Sequence, residues 1–249
     1  MTATATAPGP QHDSGDRPKL LDLFCCQGGA AKGYHDAGFE VIGVDIEPQP
    51  RYPFEFHQAD AMQVLSYVTD QAEPWPGAPR FDAIHASPPC QDHSPTRDFG
   101  GDHGTGWLLT ATLERLAESP VPWVVENVMG APLPHQDDLF GCSGLTLCGC
   151  MFLGLRGLLY EDRLFETSFG IPQPAHVLHR WPQTKMGRQP RPGECMQLTG
   201  HFTDAMEGRR RMGAPWMNRD GLAQAIPPAY TRYVGERILS HLEARERAA

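Results

Sequence analysis

The feature that most constrains this chain is a pair of short apolar runs joined by a glycine turn and a helix. Lys19-Leu-Leu-Asp-Leu-Phe-Cys25 stops at Gly28-Gly29. A helix-like segment from Ala30 to Ala37, closed by Gly38, then leads into Glu40-Val-Ile-Gly-Val-Asp45. Two strands joined by a helix must run parallel, so the chain is committed to an α/β sheet. The pattern continues. Asp60 to Val68 predicts a helix with Met62, Leu65 and Val68 on one face, and a Pro-rich loop follows from Pro74 to Pro79. Phe81 to Ala86 predicts a third strand, Leu109, Leu113 and Leu116 a helix, and Trp123-Val-Val125 a fourth strand. Such alternation gives a parallel sheet covered on both faces.

The pattern weakens after Gly141. Leu145 to Phe152 and Arg163 to Phe169 are candidate strands, while Gly170 to Met217 is dense in Pro, Gly and Arg without clean periodicity. A last helix is expected after Pro227-Pro228, with Tyr230, Val234, Ile238 and Leu242 on one face. The expected organisation is a disordered leader over 1–18, a main domain over 19–169, a small irregular lobe over 170–217 and a returning segment over 218–249.

Composition excludes some classes. At 249 residues the chain can bury one sizeable core. It holds no apolar run of membrane-spanning length and no signal-peptide stretch, so the expected address is cytoplasmic. A net charge of −9 argues against coating nucleic acid through charge alone. It leaves room for a local basic surface. In the 170–217 lobe, Arg180, Lys185, Arg188, Arg191 and Arg209-Arg210-Arg211 form such an excess, against Glu194, Asp204 and Glu207. A solvated face is the plain reading, and a nucleic-acid surface the sharper one. The seven cysteines are an odd count without disulfide-framework spacing. Cys142, Cys148 and Cys150 lack paired C-x-x-C spacing and show no fourth ligand nearby, so no metal is expected.

Three motifs carry chemistry, each at a predicted strand end. Asp22-Leu-Phe-Cys-Cys-Gln-Gly-Gly29 is a glycine turn that lets backbone approach a ligand, although it lacks the full dinucleotide pattern. Asp45 at the next strand end could accept ribose hydroxyls, and Asp60 at the following helix start an adenine amino proton; both could equally be ordinary surface aspartates. Ser87-Pro-Pro-Cys-Gln91 places a thiol behind two rigid prolines, preorganised as a nucleophile unless it is a small buried cysteine in a turn. Val124-Val-Glu-Asn-Val128 supplies a carboxyl group, Glu126, suited to general-acid work unless it is a satisfied structural carboxylate.

In this order the motifs resemble the DNA cytosine-5 methyltransferases, and more narrowly their short phage-type and actinobacterial-type members. The resemblance covers roughly Lys19 to Phe169 and Trp216 to Leu242. It implies a Rossmann-like fold dependent on S-adenosylmethionine, with a small, irregular target-recognition lobe. Cofactor contacts would come from Asp22, Phe24, Gly28, Gly29, Asp45, Ile46, Asp60, Ala61 and Pro88. Cys90 would add to C6 of a flipped-out cytosine, Glu126 would meet N3 and Arg163, in Asp-Arg-Leu-Phe-Glu, would hold O2. An aromatic stands at the Cys90 position in the related motif of amine methyltransferases, where no activation of a ring carbon is needed. Leu222 to Pro228 resembles the segment that packs beside the cofactor. The chain departs from the family at Cys26, where a glycine is usual, and at Ala223-Gln224, which replace Gly-Asn. It departs again at Leu159 and Glu161, where Gln and Arg are expected. The resemblance implies a monomer acting on DNA in restriction–modification, phage self-protection or regulation. An RNA cytosine-5 methyltransferase and a catalytically idle DNA-binding module of the same fold are the alternatives.

Overall fold

The computed structural model describes residues 17–89, 104–133, 143–185, 187–199 and 202–248. Cys90, Cys142 and residues 1–16 of the expected leader lie outside the described residues.

Among the described residues, seven strands form one sheet in the order β3-β2-β1-β4-β5-β7-β6. They are β1 (Lys19–Leu23), β2 (Glu40–Asp45), β3 (Glu55–Gln58), β4 (Ala83–Ala86), β5 (Trp123–Val128), β6 (Ser143–Leu147) and β7 (Arg163–Thr167). β1 to β5 are parallel, and β7 runs antiparallel to both β5 and β6. The helices are α1 (Gly29–Ala37), α2 (Ala61–Thr69), α3 (Trp107–Leu116), α4 (Ala205–Met212), α5 (Arg219–Gln224) and α6 (Pro228–Ala248).

The strands are apolar on both faces because both faces are covered. Leu20, Val41, Ala83 and Val124 pack toward α1 and α6, in a core with Tyr34, Tyr230 and Val234. Leu21, Ile42, Ile84 and Val125 point the other way, against Val64 and Leu65 of α2 and Leu109 and Leu116 of α3. Side chains alternate along a strand, so neighbouring residues feed opposite cores. α1 and α6 approach closely at Gly33, where an added Cβ would fall 2.0 Å from Thr231 Oγ1. Met196, Leu198, Phe202, Met212 and Met217 from the 170–217 segment join the core on this side.

Several expected elements are present with shifted ends, and three were not expected. β3 has only four residues, half of them exposed, so it shows no apolar run. α4, Ala-Met-Glu-Gly-Arg-Arg-Arg-Met, is strongly polar and starts at Asp204, whose side chain accepts from Glu207 N–H. α5 starts at Asn218, which accepts from Gly221 N–H. The apolar stretch Leu145 to Phe152 does not stay extended: β6 ends at Leu147 and a 3-10 turn covers Gly149–Met151. The fold also brings His176 and His179 up to Cys148 and Cys150. The expectation that no further ligand lies near these cysteines therefore fails, because sequence spacing does not report how a loop folds back.

Candidate active site

Strand order reverses around β1, whose neighbours are β2 on one side and β4 on the other. The carboxyl ends of parallel strands open a crevice at such a point. A cavity of about 420 Å³ occupies it. It is lined by Phe24 to Gln27 and Gly29 after β1, Asp45 and Ile46 after β2, Ser87 to Pro89 after β4, Glu126 on β5 and Arg163 on β7. Thr199, Met217 and the α5 region through Ile226 close the remaining side.

The loop after β1 is sharply wound. Phe24, Cys26 and Gly28 all take positive φ, at 59°, 45° and 80°. Only at Gly28 does the residue type relieve that conformation. Cys26 N–H donates to the Asp45 carboxylate at 2.9 Å, and Glu47 N–H donates to it at 3.0 Å. Asp45 is thus pinned at the cavity wall by backbone donors on both its neighbours. The loop's far side is held by a reciprocal amide pair. Gln27 Nε2 donates to Asn218 Oδ1 at 2.9 Å, and Asn218 N–H returns to Gln27 Oε1 at 3.1 Å. Trp216 Nε1–H adds a bond to the Gln27 carbonyl at 2.8 Å.

The floor after β4 is fixed by β5. Asn127 Nδ2 donates to the Pro88 carbonyl at 3.1 Å, entirely inside the protein. Pro88 and Pro89 line the cavity, and Cys90 follows them in sequence.

The charged centre is a buried triad. Arg163 Nε lies 3.1 Å from Glu126 and its Nη2 lies 3.2 Å from Glu161. All three side chains are almost fully excluded from water. Two carboxyl groups share one guanidinium, so one of them retains a proton near neutral pH. Burial raises the Glu161 carboxyl above its ordinary range in spite of the neighbouring Arg163 guanidinium. Burial likewise pushes Glu126, which lines the cavity, up to about 7 against the pull of Arg163. Near neutral pH Glu126 is therefore poised to take up or release a proton at the cavity wall.

The structure gathers some of the expected cofactor residues and not others. Phe24, Gly29, Asp45, Ile46 and Pro88 line the cavity; Asp22, Gly28, Asp60 and Ala61 do not. Asp22 is fully buried behind the loop, accepts from Tyr52 O–H at 3.3 Å, and is raised by burial to about 8. Asp60 caps α2 by accepting from Met62 and Gln63 N–H. The cavity still suits a nucleoside bearing a charged tail: an acid on one wall, a glycine-rich loop on another, and Ile46, 64% exposed, as an apolar rim. Sequence reading missed Gln27, Asn127, Asn218 and Thr199. It registered Glu161 only as a departure, and a carboxylate where an arginine is usual was the available signal.

The basic lobe needs correction. Arg211 is buried and donates to the carbonyls of Leu158 and Glu194 and to Glu207. Arg210 forms two bonds of 2.7 Å to Glu207, Arg188 pairs with Glu194 at 2.6 Å, and Arg209 donates to the Met217 carbonyl. Arg211 ties the segment together across long sequence separations through the Leu158 and Glu194 carbonyls, whereas Arg210 and Arg188 pair with acids only three and six residues away. Arg180, Lys185, Arg191 and Arg210 are the exposed members.

The profile of a family described as C-5 cytosine-specific DNA methylase matches residues 18–138. A curated relative, the Type II methyltransferase M.AgeI of Thalassovita gelatinovora, is 23% identical over 166 residues. That match covers 62% of this chain and 37% of the relative, so the chain spans little more than a third of its length. Among solved structures, the Entamoeba histolytica methyltransferase EhMeth superposes with a TM-score of 0.55 at 10% identity. S. pombe Dnmt2 methyltransferase gives 0.51 at 10% identity, and a candidate DNA modification methyltransferase encoded within an E. coli prophage gives 0.53 at 14%. Each comparison covers 91% of this chain and 99% of the other. At these identities the likeness shows a shared fold.

Proposed function

We propose that this chain, whose residues 18–138 belong to the C-5 cytosine-specific DNA methylase family, methylates C5 of a cytosine rotated out of DNA. The observation that carries the reading is the buried Glu126–Arg163 pair, which faces the same cavity as Asp45 and the Pro88-Pro89 stem. S-adenosylmethionine, when bound, supplies an electrophilic methyl group. Asp45 would accept its ribose hydroxyls, Phe24 and Ile46 would flank its base, and the loop ending at Gly29 would approach its tail.

The remaining chemistry belongs to the chain. Cytosine C5 is a poor nucleophile. Glu126, holding a proton, donates to the ring N3 while Arg163 holds the O2 oxygen, and both withdraw electrons from C6. The Cys90 sulfur adds to C6, and the electron pair displaced toward C5 becomes the nucleophile for the methyl group. Water then takes the C5 proton, the electron pair re-forms the C5–C6 double bond and expels the Cys90 thiolate, and N3 returns its proton to Glu126. Segment 170–217 would face the DNA, with Arg180, Lys185 and Arg191 available to phosphates.

The test is covalent trapping. Duplex DNA with 5-fluorocytosine at the target should form a denaturation-resistant adduct with the wild-type chain and S-adenosylmethionine. Fluorine cannot leave as a proton does. Cys90→Ala should abolish adduct and methylation while cofactor binding persists. Methylation by the Ala variant would overturn the mechanism, and transfer to an RNA of the same sequence alone would reassign the substrate.

A further inference from the structure

Cys148 and Cys150 follow β6, and the fold places His176 and His179 against them. One ligand atom from each of the four lies within 4.8 Å of every other. Cys148 Sγ is 3.2 Å from His179 Nε2, and the two sulfurs are 3.4 Å apart. That separation is far too long for a disulfide, and both thiols are free. In a tetrahedral zinc site, Zn–S near 2.3 Å and Zn–N near 2.0 Å put sulfur and nitrogen about 3.5 Å apart and two sulfurs about 3.8 Å apart. The Cys148–His179 and Cys148–Cys150 distances are each within a few tenths of an ångström of that arrangement. We propose that Cys148, Cys150, His176 and His179 bind one zinc ion that fastens the start of the 170–217 segment to the edge of the sheet.

Three further observations support a structural ion. First, the imidazole of His179 is already oriented. It stacks on Tyr160 with centroids 3.9 Å apart and planes 12° apart, and the Tyr160 hydroxyl accepts from Trp181 N–H. Second, Gln173 pairs with the Thr146 backbone and Tyr233 donates to the Pro172 carbonyl, and beyond them the segment is held by little else among the described residues. Residues 172–180 form no helix or strand, and all but Pro174 are exposed, including Leu178 at 75%. Among the described residues, the polar and ring contacts of 174–180 are those of His176 and His179. Such a segment has too little apolar burial to offset its ordering entropy, and a metal is a usual remedy. Third, the cysteines sit in a satellite cluster with Tyr160 and Cys195, separate from both main cores. Four protein ligands fill a tetrahedral zinc, so the ion would leave no position for substrate. None of the four residues lines the catalytic cavity. Two thiolates with two imidazoles favour zinc over magnesium or calcium.

The experiment is metal analysis of the full chain, purified under reducing conditions without chelator and loaded with zinc(II). About one zinc per chain should survive exhaustive dialysis. Replacement by cobalt(II) should give the intense visible bands of a tetrahedral ion and a near-ultraviolet thiolate-to-cobalt band. His176→Ala with His179→Ala, both at exposed positions, should reduce zinc to background while the chain stays folded. Cys148→Ser should do the same, whereas Cys195→Ser, a change in the same satellite cluster, should retain the ion. Absence of stoichiometric zinc with all thiols reduced would overturn the proposal. So would full zinc content in the double histidine variant, or a cobalt spectrum lacking the thiolate band.

Discussion

Arg163 lies 3.1 Å from Glu126 and 3.2 Å from Glu161, a single buried cation between two buried acids. A proton on Glu126, whose pKa is about 7, is the one the proposed reaction needs. kcat/KM should therefore fall as pH rises through about 7, and that limb should vanish in Glu126→Gln along with a roughly 10²–10⁴-fold loss of rate. A pH–rate profile on both proteins checks this. An unchanged limb in the Gln variant would assign it to another group.

Arg163→Ala should be costly for the fold as well as the chemistry. Removing one partner leaves buried carboxyl groups without their counterion, a penalty of about 3–5 kcal/mol. Urea unfolding measures it. Glu126 should also become harder to ionise, so its limb should move to higher pH in whatever activity remains.

Asp45→Ala should weaken S-adenosylmethionine binding by about 1–3 kcal/mol, because ribose hydroxyls and the Cys26 N–H both lose an acceptor. Calorimetry showing unchanged affinity would move the ribose elsewhere in the cavity. Asp60, which lies outside the cavity lining, provides the contrast.

Cys26 holds φ at +45°, a left-handed backbone conformation that glycine adopts without strain. Glycine removes a strain of about 1–2 kcal/mol and returns about 0.5–1 kcal/mol in unfolded-state entropy. Cys26→Gly should thus stabilise the chain by up to about 1 kcal/mol, read as a small rise in Tm. A fall would mean that the Cys26 thiol, 3.4 Å from Gln224 Oε1, contributes more than the backbone conformation costs.

Asp22 sets a pH dependence of stability. Its pKa rises from 3.8 to about 8 on folding, because burial disfavours the carboxylate. The folded state binds the proton more tightly, so this contribution is complete below about pH 4 and is lost as pH rises through 8. Asp22→Asn keeps an acceptor for the Tyr52 hydroxyl and removes the titration. Its stability should decline less than that of the wild type between pH 5 and 9, and equal slopes in denaturant titrations would contradict the assignment.

The chain's own pattern determined the parallel core and the placing of chemistry at strand ends. Leu20 and Leu21, or Val41 and Ile42, must face opposite sides of a strand, and glycine turns must follow where backbone approaches a ligand. Asp45 and Glu126 were legible because motif residues near the ends of parallel strands converge, whereas Arg163, at the start of the antiparallel β7, was legible only through the family resemblance. Local periodicity could not reveal pairings made by irregular segments. Arg211 is buried against the Leu158 and Glu194 carbonyls and Glu194 captures Arg188, so part of a run that reads as a basic surface is taken up inside the fold. Cys148 and His179 meet only because the chain after β7 folds back on the turn after β6. Contacts between coil segments depend on packing and hydrogen bonding over long sequence separations, and no repeat of two or 3.6 residues records them. The sequence determined where the reacting groups begin; the tertiary structure decided which charges remain available to act.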